Sequence, residues 1–173
     1  MQTISLKERV LAIDNLHLQP LVWNGQETGK CVITDGQVFY GVSSPRYSPV
    51  SHRKVLTQVM EFLPAGQVDH IYTEGHNLAR VVMNIKLPKV YDLAGEKIET
   101  YINLRNSLDG SWTIGMVVSP INVVCRNTFV LSLKEAYIDI SRKHTRLGVS
   151  RFLHQDVKLV EQVYNAMEGQ LDV

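Results

Sequence analysis

Val68-Asp69-His70-Ile71-Tyr72-Thr73-Glu74, then Gly75-His76-Asn77, then Leu78 to Leu87, is the stretch that decides the fold. Two runs rich in β-branched and aromatic residues, parted by a glycine and an asparagine, read as paired antiparallel strands. The pattern recurs downstream, where Glu99 to Arg105 and Ser111 to Ser119 flank Asp109-Gly110. That dipeptide tolerates left-handed backbone and suits a tight reversal. Pro88 to Lys97 reads as a connection with one glycine. Pro120 marks a bend, and Ile121 to Cys125 reads as a further strand, since proline belongs at strand starts. Thr128 to Leu133 is readable as strand, although Lys134-Glu135-Ala136 favours helix.

Outward from this block, Leu21-Val22-Trp23, Lys30 to Thr34 and Gln37 to Val42 read as short strands punctuated by Gly25 and Asp35-Gly36. A helix follows, with Ser48 as its cap and Pro49 in the first helical position. Val55, Leu56, Val59, Met60 and Leu63 form its apolar face, with His52, Arg53 and Gln58 opposite; Pro64-Ala65-Gly66 stops it. A last helix runs from Gly148 to Met167, within 148–168, on the stripe Val149, Phe152, Leu153, Val157, Val160, Val163, Tyr164 and Met167. Residues 1–19 form an N-terminal extension with a helix from about Ser5 to Asn15, opened by the capping box Ser5 and Glu8. The expected architecture is α+β: one domain over 1–173, a mainly antiparallel β-meander with flanking helices packed on one face.

An apolar share of 45% supports an ordinary core, and a net charge of +1 gives no overall pull toward nucleic acid or membrane. The charges are nevertheless sorted. Arg142 to Gln155 holds Arg142, Lys143, Arg146, Arg151, His144 and His154 with no acid, and Val42 to Met60 holds Arg46, Arg53 and Lys54 before the first acid, Glu61. Lys7, Glu8 and Arg9 interrupt the N-terminus before a signal-peptide core forms, and no apolar run reaches membrane-spanning length. A soluble cytoplasmic protein is expected. Cys31 and Cys125 sit in apolar runs and read as two buried free thiols.

Chemistry is sparsely written. No phosphate-cradling glycine loop occurs, and the six histidines lack metal-ligand spacing, so neither cofactor nor metal is expected. Asn106 to Ser111 is first a turn, with Ser107, Asp109 and Ser111 available to a ligand at the sheet's end. Cys125 paired with His144 or His154 would make a nucleophile, but no surrounding signature supports it. Arg142, Lys143, Arg146 and Arg151 approach or enter a helix N-terminus, where cations oppose the dipole; phosphate is the partner that would justify them. A merely solvated charge run is the ordinary alternative. A second anion locus is the Ser48-Pro49 helix start, near Arg46 and His52, with Arg53 and Lys54 as helpers. Tyr40, Tyr47, Tyr72 and Tyr101 supply stacking surfaces or sheet packing.

Four segments occur in order over about residues 40 to 165. They are Tyr47-Ser48-Pro49-Val50-Ser51-His52, Asn106-Ser107-Leu108-Asp109-Gly110-Ser111, Val124-Cys125-Arg126-Asn127-Thr128 and Arg142-Lys143-His144-Thr145-Arg146. Together they resemble the phage/plasmid-like family built on a domain of unknown function. The resemblance implies mobile-element context in a bacterial host cell, near DNA replication or recombination, and brings no catalytic residues. A meander followed by a helix is also similar in outline to phage single-strand annealing recombinases, a likeness of fold alone.

The expectation that follows is a non-enzymatic nucleic-acid-binding protein, acting on single-stranded DNA and forming a homo-oligomer. Its cations would be Arg142, Lys143, Arg146 and Arg151, helped by Arg53 and Lys54. The competing class is a protein-interaction module that inhibits a host defence or restriction system through a host protein partner. An enzyme resting on Cys125, His144 and Asp109 comes third.

Overall fold

The computed structural model describes residues 3–63 and 66–169. It has an α+β fold with two antiparallel sheets. The smaller joins β1 (His17–Trp23), β2 (Gln26–Thr34) and β3 (Phe39–Ser43). The larger is a meander of β4 (Gln67–Glu74), β5 (Arg80–Leu93), β6 (Glu96–Ser107), β7 (Ile114–Ser119) and β8 (Ile138–Arg142), in that spatial order. Helices α1 (Leu6–Leu11) and α2 (His52–Phe62) precede it, and α3 (Arg126–Lys134) lies between β7 and β8. The chain then enters α4 (Arg146–Arg151), a π turn (Phe152–Asp156) and α5 (Val157–Gly169).

Strand periodicity builds the core. Met83 pairs with Leu104 and Leu104 with Met116, while Ile85 pairs with Ile102 and Ile102 with Val118. These side chains share one face, with Val81, Leu87 and Ile71, and all are buried. Val55, Leu56, Val59 and Leu63 of α2 cover them, with Val149, Phe152, Leu153, Val157 and Val160 of the C-terminal helices. Each such side chain is worth about 1.5–3 kcal/mol of burial. The expected stripes are therefore seated, while the side chains of Val163, Tyr164 and Met167 lie outside the described residues.

The opposite face is closed differently, and here the structure corrects the reading of Ile121 to Cys125 as a strand. Asn103 Nδ2 donates to Asn84 Oδ1 at 2.7 Å and Ser119 Oγ donates to Asn103 Oδ1 at 2.6 Å. These asparagines also take up the following segment: Asn84 Nδ2 bonds the Val123 carbonyl at 2.8 Å, and Asn103 Nδ2 that of Ile121 at 2.9 Å. Val123 N–H returns a bond to Asn84 Oδ1 at 2.9 Å. With its polar groups satisfied by side chains, the segment has no need of a neighbouring strand. It leads into α3, so Thr128 to Leu133 is helix, and α3 lies over the face away from α2. Cys125 is the exposed N-cap residue of α3 and not a buried thiol; Cys31 is buried.

Other differences are local. Pro88 to Lys97 is no loop: β5 and β6 run on as a ribbon and reverse at Ala94-Gly95. Helix α2 starts three residues later than expected. Ser51, not Ser48, is its N-cap, accepting from the Lys54 N–H at 3.1 Å. That start places His52 on the buried stripe with Val55, Leu56 and Val59, at helical spacings of three, four and seven, rather than on the outer face. Pro64 and Ala65, expected to stop α2, lie outside the described residues. Helix α1 has the expected capping box, with Ser5 N–H donating to Glu8 at 2.7 Å.

The small sheet packs on one end of the large one through Ile33, Tyr40, Ala79 and Leu108. Approach is closest at Gly41, where a Cβ would meet the Asp109 carbonyl at 2.9 Å, so only glycine fits there. This junction brings the distant signatures together.

Candidate functional site

Three of the four signature segments converge at that end of the sheet. Tyr47 forms an isolated bridge with Thr145, and Ser48 N–H donates to the His144 carbonyl at 2.7 Å. The Tyr47 ring stacks on His144, with centroids 5.1 Å apart and an interplanar angle of 18°. Its hydroxyl donates to the Ser107 carbonyl at 2.9 Å. The Asn106–Ser111 segment is the turn expected of it. Asp109 Oδ1 accepts from Ser111 N–H at 3.0 Å, Ser107 Oγ accepts from Trp112 N–H at 3.1 Å, and Gly110 takes φ +77°.

Beneath lies a buried polar chain. Asn106 Nδ2 donates to the Val50 carbonyl at 2.9 Å and meets His52 Nδ1 at 3.2 Å; its Oδ1 faces His144 Nε2 at 2.8 Å. His52 Nε2 reaches the Leu78 carbonyl at 3.0 Å. Asn106 thus assigns both tautomers: each histidine carries its proton on Nε2. Burial pushes both imidazoles down to about 4, so at neutral pH they are uncharged parts of the scaffold.

Above this chain an open cleft of about 280 Å³ is lined by Arg46, Tyr47, Ser111, Trp112, Lys143 and Thr145, among others. A second cleft, about 670 Å³, adjoins it through the shared residues Arg46, Tyr47 and Thr145, and adds His17, Arg146 and Leu147. Among the described residues, no carboxylate lines either cleft. The pair forms a groove with three cations, several hydroxyls and two aromatic rings.

The anticipated cations separate into two groups. Lys143 and Arg146 line the groove. Arg142 instead holds the buried Asp156 in two bonds, Nε to Oδ2 at 2.7 Å and an Nη to Oδ1 at 3.0 Å. Arg53 pairs with Asp14. Lys54 lines a smaller cavity that also contains Asp14. Arg151 is exposed on α4 and lines neither cleft. The anion locus expected at Ser48-Pro49 has no helix start beneath it. At α4 the Gly148 N–H is already taken, since Thr145 Oγ1 accepts from it at 3.1 Å. Of the other lining residues, Arg46 was expected only as a neighbour of the Ser48-Pro49 locus, while Trp112 and Thr145 were not singled out at all.

The catalytic alternative gains no geometry. Cys125 bonds to Thr128, a contact that lowers its pKa, while His144 bonds to Asn106. Among the described residues, no hydrogen bond or ion pair joins Cys125, His144 and Asp109.

Residues 39–172 match a family described as a domain of unknown function, DUF932, and the chain belongs to that family. The match begins in β3, so it takes in all three converging segments. No curated protein and no solved structure matches the chain. No helix among the described residues is long and apolar enough to cross a membrane.

Proposed function

We propose that the protein binds single-stranded nucleic acid along the groove, without covalent chemistry, in the replication or recombination of a phage or plasmid. The observation that supports this most directly is the lining itself: Arg46, Lys143 and Arg146 with Tyr47 and Trp112, and no carboxylate. Cations that track a backbone, interleaved with rings that stack on bases, are what sequence-independent single-strand binding needs. A groove with so few cations binds weakly by itself and gains from repetition along a strand, so the reading includes a homo-oligomer working in the cytoplasm of a bacterial host. The experiment is a titration of a fluorescent oligonucleotide at several salt concentrations. Affinity should fall with a log–log slope of roughly 0.7 per phosphate contact. Absence of binding at low salt eliminates the proposal.

A protein-binding role is the second reading, as in an inhibitor of a host defence system. It draws on the exposed Val22, Trp23, Phe39 and Val42 of the small sheet. Recovery of one host protein from lysate after nuclease treatment favours it, and loss of every partner on that treatment favours nucleic acid.

A further inference from the structure

The two clefts that make the groove differ in chemistry. The smaller is polar, with Ser44, Ser111, Thr113 and Lys143 among its walls. The larger is walled chiefly by carbon from Leu16, Leu18, Pro45, Pro49 and Leu147, and Leu147 is 61% exposed. Several of its polar groups are already engaged. His17 Nδ1 lies 2.9 Å from the Asn15 carbonyl, which can only accept, so Nδ1 carries the proton. His17 Nε2 then accepts from the Gln19 amide at 3.1 Å. The Tyr47 hydroxyl is taken by the Ser107 carbonyl, and Thr145 Oγ1 by the Gly148 N–H. The cations are not engaged in this way: among the described residues, no ion pair neutralises Arg46, Lys143 or Arg146. Arg46 lines both clefts, Lys143 the smaller and Arg146 the larger.

We propose that a strand bound in the groove lays a phosphate on Arg46 and Lys143 in the smaller cleft and turns one base out into the larger. The inference rests on the single-strand reading above and adds to it the placement of one nucleotide. Cations without ion-pair partners call for an anion, and a clustered apolar wall calls for an apolar surface to cover it. A nucleotide carries both within a single residue, whereas a small inorganic anion would use the cations and leave the apolar wall wet. The hydroxyls of the smaller cleft suit phosphate oxygens, and the carbon walls of the larger suit a base. At about 670 Å³ the larger cleft falls within the roughly 300–1,000 Å³ typical of small-ligand sites. With His17, Tyr47 and Thr145 already bonded, the base is held by apolar contact and not read along its hydrogen-bonding edge. That leaves binding independent of sequence. Arg146 is left for the following phosphate.

The test compares a fluorescent dT oligonucleotide with an abasic strand of the same length, which keeps the phosphates and lacks the bases. Both are titrated into the full chain at several salt concentrations. The abasic strand should bind roughly tenfold more weakly, with the same salt slope. Leu147→Ser should weaken the dT strand several-fold and leave the abasic strand unaffected, because the side chain and the base act on each other. Its melting temperature should match wild type, since Leu147 is exposed. Lys143→Ala should instead lower the salt slope of both strands by about 0.7. A dC strand should bind within about threefold of the dT strand. Equal affinity for the dT and abasic strands overturns the inference while single-strand binding stands. So does a Leu147→Ser effect of the same size on both strands, or a tenfold preference between dT and dC. Absence of binding by either strand at low salt is the failure of the functional reading itself, and the inference falls with it.

Discussion

Two buried clusters built on asparagine occupy opposite faces of the same sheet and do different work. Asn84, Asn103 and Ser119 hold the backbone of 121–123 against one face, using only amides and a hydroxyl. Asn106 on the other face spends its amide on Val50, His52 and His144, directly under the groove. The first cluster has no proton to gain or lose near neutrality. The second places two titratable rings in a buried site. A closed middle and a protonation-sensitive end are thus made from nearly the same side chains, and the partners supply the difference.

The largest expected effect exposes that difference through pH. Both histidines have folded values near 4 against about 6.5 when unfolded. Between these limits the unfolded chain binds more protons, so stability is complete above pH 6.5 and falls as pH drops toward 4. His52 alone should contribute about 3 kcal/mol to that loss. Urea unfolding at pH 7 and pH 4.5 measures it, and His52→Gln should remove a large part of the acid sensitivity. A flat profile in the wild type would show that the rings are not buried neutral.

The Asn84 cluster should fail in the opposite manner. Asn84→Ala leaves the Val123 carbonyl and amide and one Asn103 donor without partners, costing about 3 kcal/mol at every pH. Parallel unfolding curves at pH 7 and 4.5 for this variant and the wild type would check both size and pH independence.

A smaller effect separates the structural cation from the groove cations. Arg142→Ala strips the buried Asp156 of its guanidinium and should lower the melting temperature. Lys143→Ala, one residue away, should leave it unchanged. Equal melting temperatures for the two variants would show that the Asp156 bond is not structural.

The smallest effect on stability accompanies the clearest effect on binding. Arg46→Ala with Lys143→Ala should alter unfolding free energy by under about 0.5 kcal/mol. The same pair should reduce the salt slope for an oligonucleotide by roughly 1.4, two contacts' worth. Arg53→Ala and Arg151→Ala should leave that slope unaltered.

Much of the fold was readable from pattern. The alternation in Val81, Met83 and Ile85, and the stripe at Val55, Leu56 and Val59, follow from strand and helix periods that any local window shows. The site was read only in part. Lys143 and Arg146 were anticipated, yet Arg142 looked equivalent to them, because Asp156 lies just past the acid-free run and becomes its partner only once the π turn has formed. His52 stood on the buried stripe by spacing, but a cap assigned three residues early hid the match.

By itself the sequence determined the local periodicities, the Asp109-Gly110 reversal, the α1 capping box and the class of fold. These depend on residues within a turn or two of one another, where steric preference and amphipathic spacing suffice. Only the tertiary structure decided which cations are free, which face of α3 meets solvent and which asparagines are buried. Those outcomes depend on pairs such as Asn106 with Val50 and Arg53 with Asp14, separated by 56 and 39 residues. Desolvation and charge neutralisation act on the neighbours that folding brings together, whatever their distance along the chain.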